Sequence, residues 1–435
     1  MNALRNDTTE NKVTGLLLLL FAASLPFDRF YSQTLLIFLL LHTIIQLRTT
    51  RIRQLQPTEL TLHAGIWLLT IAGTAFSPFA ATAFPFWERQ CAILLLPLCL
   101  CLLPFNLTTH RKLLMNVFVA TNCFVILYLF QDALRTMLYY HQPLTSIWSA
   151  AYLSHNFAAP LALHATYLSL FCALSFCFCI QAFFEKETGN AMRTIFTLAA
   201  VVLIAGLLQL ASRAVLGATA LACFSLLPFC IDLRKDRIRY LLALAGVTVL
   251  SLLLLQHVPS LYQRFVLEMA TDLGTQRGAG LASDPRGHRW ELALQLVREA
   301  PAWGHGSGSE VPLLRERYFQ NGLYDSYLNS LNAHNQYISL LIRHGVIGLL
   351  CWLATLAVLA RRAYLRKDIL LGCFLLLMAV SGLSENILDV NKGIFFYAFF
   401  LSVLGIRGKN IQSGTAASNP GRVRTVRIRK EKIPS

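Results

Sequence analysis

The residues of this chain that bear on chemistry are one histidine, a few arginines and an acidic turn. His334 opens AHNQYISLLIRHGVIGLL, where polar sequence gives way to apolar, and Asn335 follows it. An imidazole at such a boundary can act as a general base. Taken alone, a histidine there is more often a hydrogen-bonded interface residue. Arg286 and Arg289 open RGHRWELALQLVREA, whose apolar positions Trp290, Leu292, Ala293, Leu296 and Val297 have helical spacing. The two arginines share one side of that helix's first turn, and a helix N-terminus itself favours an anion. Arg213 follows Ser212 in LASRAVLG, a tight turn between two apolar runs. A guanidinium there needs a partner or a polar cavity. Arginines of this kind give planar, bidentate recognition of phosphate or carboxylate; the alternative is a solvated basic loop beside anionic headgroups.

Two further groups stay open between function and structure. Glu385 shares a turn with Asp389 and Lys392. It could orient a base or an arginine, or form a structural ion pair. His164, with Tyr167 three residues on, falls in the apolar stretch 158–183. A histidine inside a membrane span is a functional candidate by default, with packing or a helix–helix hydrogen bond as the plain reading. His344 reads as structural. The glycines of GHGSG (Gly304, Gly306 and Gly308) loosely resemble a phosphate-binding loop. They lack the Lys-Ser/Thr ending and follow no strand, so they read as the turn after a helix stopped by Pro301.

The elements that must position these residues are membrane helices. The 435 residues are 55% hydrophobic and 14% charged, against about 25% charged in a soluble domain. The apolar residues come in blocks, and a span needs roughly 20 of them. Twelve blocks qualify: 13–26, 30–47, 60–80, 90–105, 113–132, 158–183, 192–211, 214–231, 240–256, 336–360, 368–384 and 393–406. The first and last are short, so eleven or thirteen stay open. Leu16 to Leu20 resembles the apolar part of a signal peptide, but the many later segments make it an uncleaved first span. The expected fold class is an all-α polytopic bundle: residues 1–256 supply nine spans, 257–335 a helical extracytoplasmic loop, 336–406 three more spans, and 407–435 a disordered basic tail.

Charge tests this count. With the N-terminus in the cytoplasm, Arg48, Arg111, Lys112, Lys186, Arg193, Arg234 to Arg239, Arg361 to Lys367 and the tail all fall on the cytoplasmic side, as the positive-inside rule requires. Both termini are then cytoplasmic. Outside this set nearly every basic residue is arginine, seven of them (Arg264, Arg277, Arg286, Arg289, Arg298, Arg315 and Arg317) in 257–335. The net charge of +16 is therefore largely a topology signal and does not imply nucleic acid. The tail could lie on the anionic inner leaflet. All eleven cysteines lie in apolar stretches, with neither a disulfide framework nor zinc-type spacing.

Three motifs in order, Ser212-Arg213, then Arg289-Trp290 followed by Pro301, Gly304 and Gly306, then His334-Asn335-x-Tyr337 followed by Gly345 and Gly348, resemble the O-antigen ligase / O-antigen polymerase superfamily. The motif-rich part is roughly 200–350. The resemblance implies a C-type glycosyltransferase architecture in the bacterial inner membrane, moving a glycan from undecaprenyl diphosphate at the periplasmic face. O-antigen ligases pass it to a sugar hydroxyl of lipid A–core, in lipopolysaccharide biosynthesis; relatives polymerise repeat units or glycosylate proteins. By motif position, Arg213 and Arg289 match the family's diphosphate-binding arginines and His334 its proposed base. Arg286 as a further diphosphate ligand, and Ser212, Asn335, Glu385 and His164 as supporting residues, are additions to that pattern. Guanidinium groups can stabilise phosphate charge without a metal, and Asp272, Asp284 and Glu291 are scattered without an Asp-x-Asp. Metal-independent, cofactor-free, inverting transfer is expected. A lipid-linked glycan transporter is the reading from another class; no half-to-half repeat or paired broken helices support it.

Overall fold

The computed structural model describes residues 7–48, 52, 57–272 and 284–406. Arg277 and the tail from Arg407 lie outside the described residues. Among the described residues every regular element is a helix. Nine run to the start of the long loop: α1 (Thr9–Ser24), α2 (Arg29–Ile45), α3 (Pro57–Thr74), α4 (Ala80–Leu102), α5 (Leu107–Tyr139), α6 (Ala165–Phe184), α7 (Asn190–Leu210), α8 (Arg213–Ser225) and α9 (Arg234–His257). The loop carries α10 (Arg286–Glu299), α11 (Glu310–Gln320) and α12 (Tyr324–Leu328). The chain returns in α13 (Gln336–Arg366), α14 (Ile369–Ser381) and α15 (Asn391–Gly405). Each of the twelve apolar blocks has its main part on a different one of these helices. By length and composition five of them, α4, α5, α6, α7 and α13, are long and apolar enough to cross a membrane; α2, α8, α14 and α15 are apolar but shorter.

Helix ends differ from the apolar blocks where polar residues continue a helix without breaking it. α5 runs to Tyr139, past Gln131, Asp132 and Arg135. Its 33 residues would measure about 50 Å, well beyond a hydrocarbon layer of about 30 Å. In the other direction, α6 starts only at Ala165, and 150–161 folds into short helical turns.

α15 is the centre of the bundle, buried along its whole length from Asn391 to Gly405. Phe396 and Phe400 stack against Phe118 of α5, Phe171 of α6 and Phe374 of α14. α9 is the opposite case: Leu242, Val247, Leu250 and Leu252 stay exposed, as suits a helix whose apolar surface meets lipid.

One end of the bundle is tied by ion pairs between chain segments far apart in sequence. Arg48 meets Glu10, Arg111 meets Asp368, Lys112 meets Glu185, Lys186 meets Asp232 and Arg362 meets Glu59. These are the segments in which the basic residues of the sequence concentrate. The alternation read from charge is therefore also a spatial clustering.

α13 is broken at Gly345, whose φ of 60° and ψ of −157° are not helical. The carbonyls of Ile342 and Arg343 accept instead from His305 N at 2.8 Å and Gly306 N at 3.0 Å, while Val346 N donates to Pro301 O at 2.9 Å. A Cβ on Gly345 would stand 2.3 Å from Ala302 O, and one on Gly304 would stand 2.6 Å from the α13 backbone. The GHGSG turn is a plug that satisfies a broken helix, which agrees with its reading as a turn.

Candidate functional site

His334 lies between the loop and α13, with a backbone φ of 47°. Left-handed backbone is uncommon for a residue with a side chain and persists only where its surroundings hold it. Those surroundings are specific. His334 N donates to Asn332 Oδ1 at 3.0 Å, and Asn335 N donates to Asn386 Oδ1 at 2.8 Å. Asn335 Oδ1 caps α13 by accepting from Tyr337 N and Ile338 N, the usual role of an Asn at that position. Gln336 N donates to Gly382 O at 2.7 Å and its Oε1 accepts from Leu388 N at 2.9 Å. The backbone just after His334 is pinned to the turn between α14 and α15, and the residue before it to Glu310.

That turn presents Glu385. Its Oε2 stands 3.4 Å from His334 Nδ1, and its Oε1 is 3.5 Å from Thr166 Oγ1 at the start of α6. Burial would push the Glu385 carboxyl up, but the hydrogen bond and charge of His334, with His164 and Arg286, outweigh it and hold the group below its ordinary range. His164 stands just before α6, its Nδ1 accepting from Thr166 N. It is not inside the helix. Its ring lies 4.2 Å from that of His155. Burial lowers His164 to about 4, against the opposing pull of Glu385, and burial and Arg264 lower His155.

The arginines arrive from three segments. Arg286 Nη1 donates to Ser384 O at 3.2 Å, next to Glu385. Arg264 donates to Ser154 Oγ at 2.9 Å and pairs with Glu268 at 2.5 Å. Arg213, the first residue of α8, reaches the Arg264 carbonyl at 3.4 Å. Ser212 before it is buried at the N-cap position. His334, Glu385, His164 and Arg286 thus form one cluster, joined through His155 and Arg264 to Arg213. Arg289 is on the buried face of α10 with Leu292, Ala293 and Leu296, where its charge acts on Tyr318, whose phenol burial pushes well up.

Beneath the cluster lies a network that sequence reasoning passed over. Arg343, in the first half of α13, is buried and donates to both oxygens of Asp389 at 2.9 and 3.0 Å. Glu310 of α11 pairs with Arg343 at 3.3 Å and accepts from Ala333 N and Asn386 Nδ2. Ser339 Oγ hydrogen-bonds Glu310 and Arg343. Asn386, whose Oδ1 holds the Asn335 amide, also donates to Asp389 at 3.0 Å. The network ties the loop to the bundle directly behind His334. An arginine inside an apolar run was the available signal, since such a charge is costly unless paired. His155 left no comparable trace.

An imidazole beside an ionised carboxylate, with arginines close by, can take a proton from a hydroxyl while an anion is held near it. No curated protein matches the chain. Residues 198–353, a little over a third of it, match the family model described as O-Antigen ligase. The matched stretch contains Arg213, Arg264, Arg286, Arg289 and His334, while His155, His164 and Glu385 lie outside it. Over that stretch the chain is similar to the O-antigen ligase family, and several of its helices are apolar enough to cross a membrane.

Proposed function

We propose that the protein is a glycosyltransferase of the inner membrane that moves a glycan from undecaprenyl diphosphate to a sugar hydroxyl of lipid A–core at the periplasmic face. The observation that carries this reading is the His334–Glu385 pair at 3.4 Å, with Arg286 bonded to the residue next to Glu385. Twelve spans with both termini cytoplasmic put this cluster on the outer side, since the ion-paired basic segments lie on the other. His334 takes the proton of the acceptor hydroxyl, and Glu385 orients the ring and stabilises the imidazolium that forms. The hydroxyl oxygen attacks the anomeric carbon, the bond to the diphosphate breaks, and the diphosphate leaves with its electron pair. Attack opposite the leaving group inverts the anomeric centre. Arg213, Arg264 and Arg286 hold the charge that develops on the diphosphate, a role that needs no metal. Arg289 serves by holding α10, and with it Arg286, in place.

A polymerase or a protein O-oligosaccharyltransferase would use the same chemistry on another acceptor. A strain lacking the protein distinguishes them. Bare core with accumulated long lipid-linked chains is expected. Single repeat units on the core would indicate a polymerase. Unchanged surface glycan with an unglycosylated protein would indicate a protein acceptor.

A further inference from the structure

At the opposite end of the bundle from His334, a cavity of about 1020 Å³ opens between α5, α6, α13 and α15. It is built in two halves. Six basic side chains line it, Arg111, Lys112, Arg361, Arg362, Arg366 and Lys367, against two carboxylates, Glu185 and Asp368. Phe178, Val358, Leu370 and Leu404 are among the apolar residues that line the rest. Both carboxylates are engaged within the rim, Asp368 with Arg111 at 2.5 Å and Glu185 with Lys112 at 2.6 Å. Arg362 is held by Glu59 of α3 at 2.7 Å. Arg361 and Lys367 are exposed and add positive charge that neither carboxylate neutralises. The rim is therefore rigid on one side and cationic on the other.

We propose that this cavity binds an anionic phospholipid, with its phosphate among Arg361, Lys367 and the rim, and its glycerol and upper acyl carbons against the apolar wall. A free inorganic anion would use the cations alone and leave the apolar half without a role. A zwitterionic lipid would bring its own cation to a surface already cationic. Basic pockets between membrane helices on the cytoplasmic side suit anionic headgroups, each nearby Lys or Arg adding attraction. The inference rests on the membrane-spanning reading and is independent of the transferase reading.

The test uses the full-length protein purified in neutral detergent. Retention of phosphatidylglycerol, cardiolipin and phosphatidylcholine is measured by native mass spectrometry, with inorganic phosphate as a competitor. Anionic lipid is expected to be retained over phosphatidylcholine. Arg361→Gln with Lys367→Gln should weaken that retention roughly tenfold. Arg48→Gln, at the same end but outside the cavity, should leave it unchanged. Equal retention of anionic and zwitterionic lipid would overturn the proposal. So would loss of the lipid to millimolar phosphate, which would mark a plain anion site, and so would an equal effect of Arg48→Gln. The preference of the unmodified protein decides the matter even where the double variant folds poorly. Glycan transfer is not read, so failure of the transferase reading leaves this result standing.

Discussion

His334 and Glu385 come from opposite ends of a 51-residue separation and meet because their backbones are bonded to each other's segments. Asn335, next to the histidine, is held by Asn386, next to the glutamate. The pair is thus set by the main chain of two neighbouring turns, and the side chains need little freedom to find one another. Held geometry of this kind is what a base needs, since misplacement of even an ångström is costly to rate.

Glu385→Gln keeps the shape and removes the charge. Transfer should slow by roughly 10²-fold, as loss of support for the base implies, while donor binding changes little. Because the Glu385 carboxyl sits below its ordinary value, it is ionised throughout the neutral range. The deficit should therefore be the same at pH 6 and pH 8. Steady-state kinetics of the reconstituted protein checks both points.

Arg286 and Arg289 are three residues apart, yet their side chains do different things. Arg286 reaches the turn that carries Glu385, whereas Arg289 is buried with the apolar face of α10. Arg286→Ala should cost roughly 10²–10³-fold in kcat, the scale of losing one donor to developing charge, with unfolding unchanged. Arg289→Ala should instead destabilise the loop by about 3 kcal/mol, as breaking a buried charged contact does. Thermal unfolding and limited proteolysis of the loop separate the two.

Acid should loosen the site before it unfolds the bundle. His164 is lowered from 6.5 to about 4, so the unfolded chain binds its proton first as pH falls. Its contribution to stability is complete above pH 6.5 and declines by up to about 1.4 kcal/mol per pH unit down to about pH 4. Glu385, also lowered, keeps its contribution above its ordinary value near 4.5 and loses it only as pH falls through its folded value. His164→Gln should flatten the melting temperature between pH 6.5 and 4 without removing the loss at lower pH. Melting curves in detergent across that range test the sign.

Much of this was legible in the sequence. The apolar blocks located the long apolar helices, five of them long and apolar enough to cross a membrane, because a run of apolar residues is written in every position of such a helix. The motifs named His334 and Arg213, and the turn with Glu385 stood out as an acidic group among apolar helices. The split between Arg286 and Arg289 was not legible, because helical spacing puts both on one side and only the packing of Tyr318 and Leu292 decides which turns inward. The break of α13 at Gly345 has no local sequence signal; it depends on carbonyls being taken by His305 and Gly306, a contact forty residues away in sequence. The placement of His164 before α6 follows from Ala162 in left-handed backbone at φ 49°, which no local pattern announces.

His334 is expected to take the acceptor's proton. The measurement is transfer of a labelled glycan from a polyprenyl diphosphate donor to purified lipid A–core by reconstituted His334→Ala, with donor affinity determined separately. The expected result is a fall in kcat of roughly 10²–10⁴-fold with donor affinity within about threefold of the unmodified protein. Transfer at more than half the original rate would contradict it.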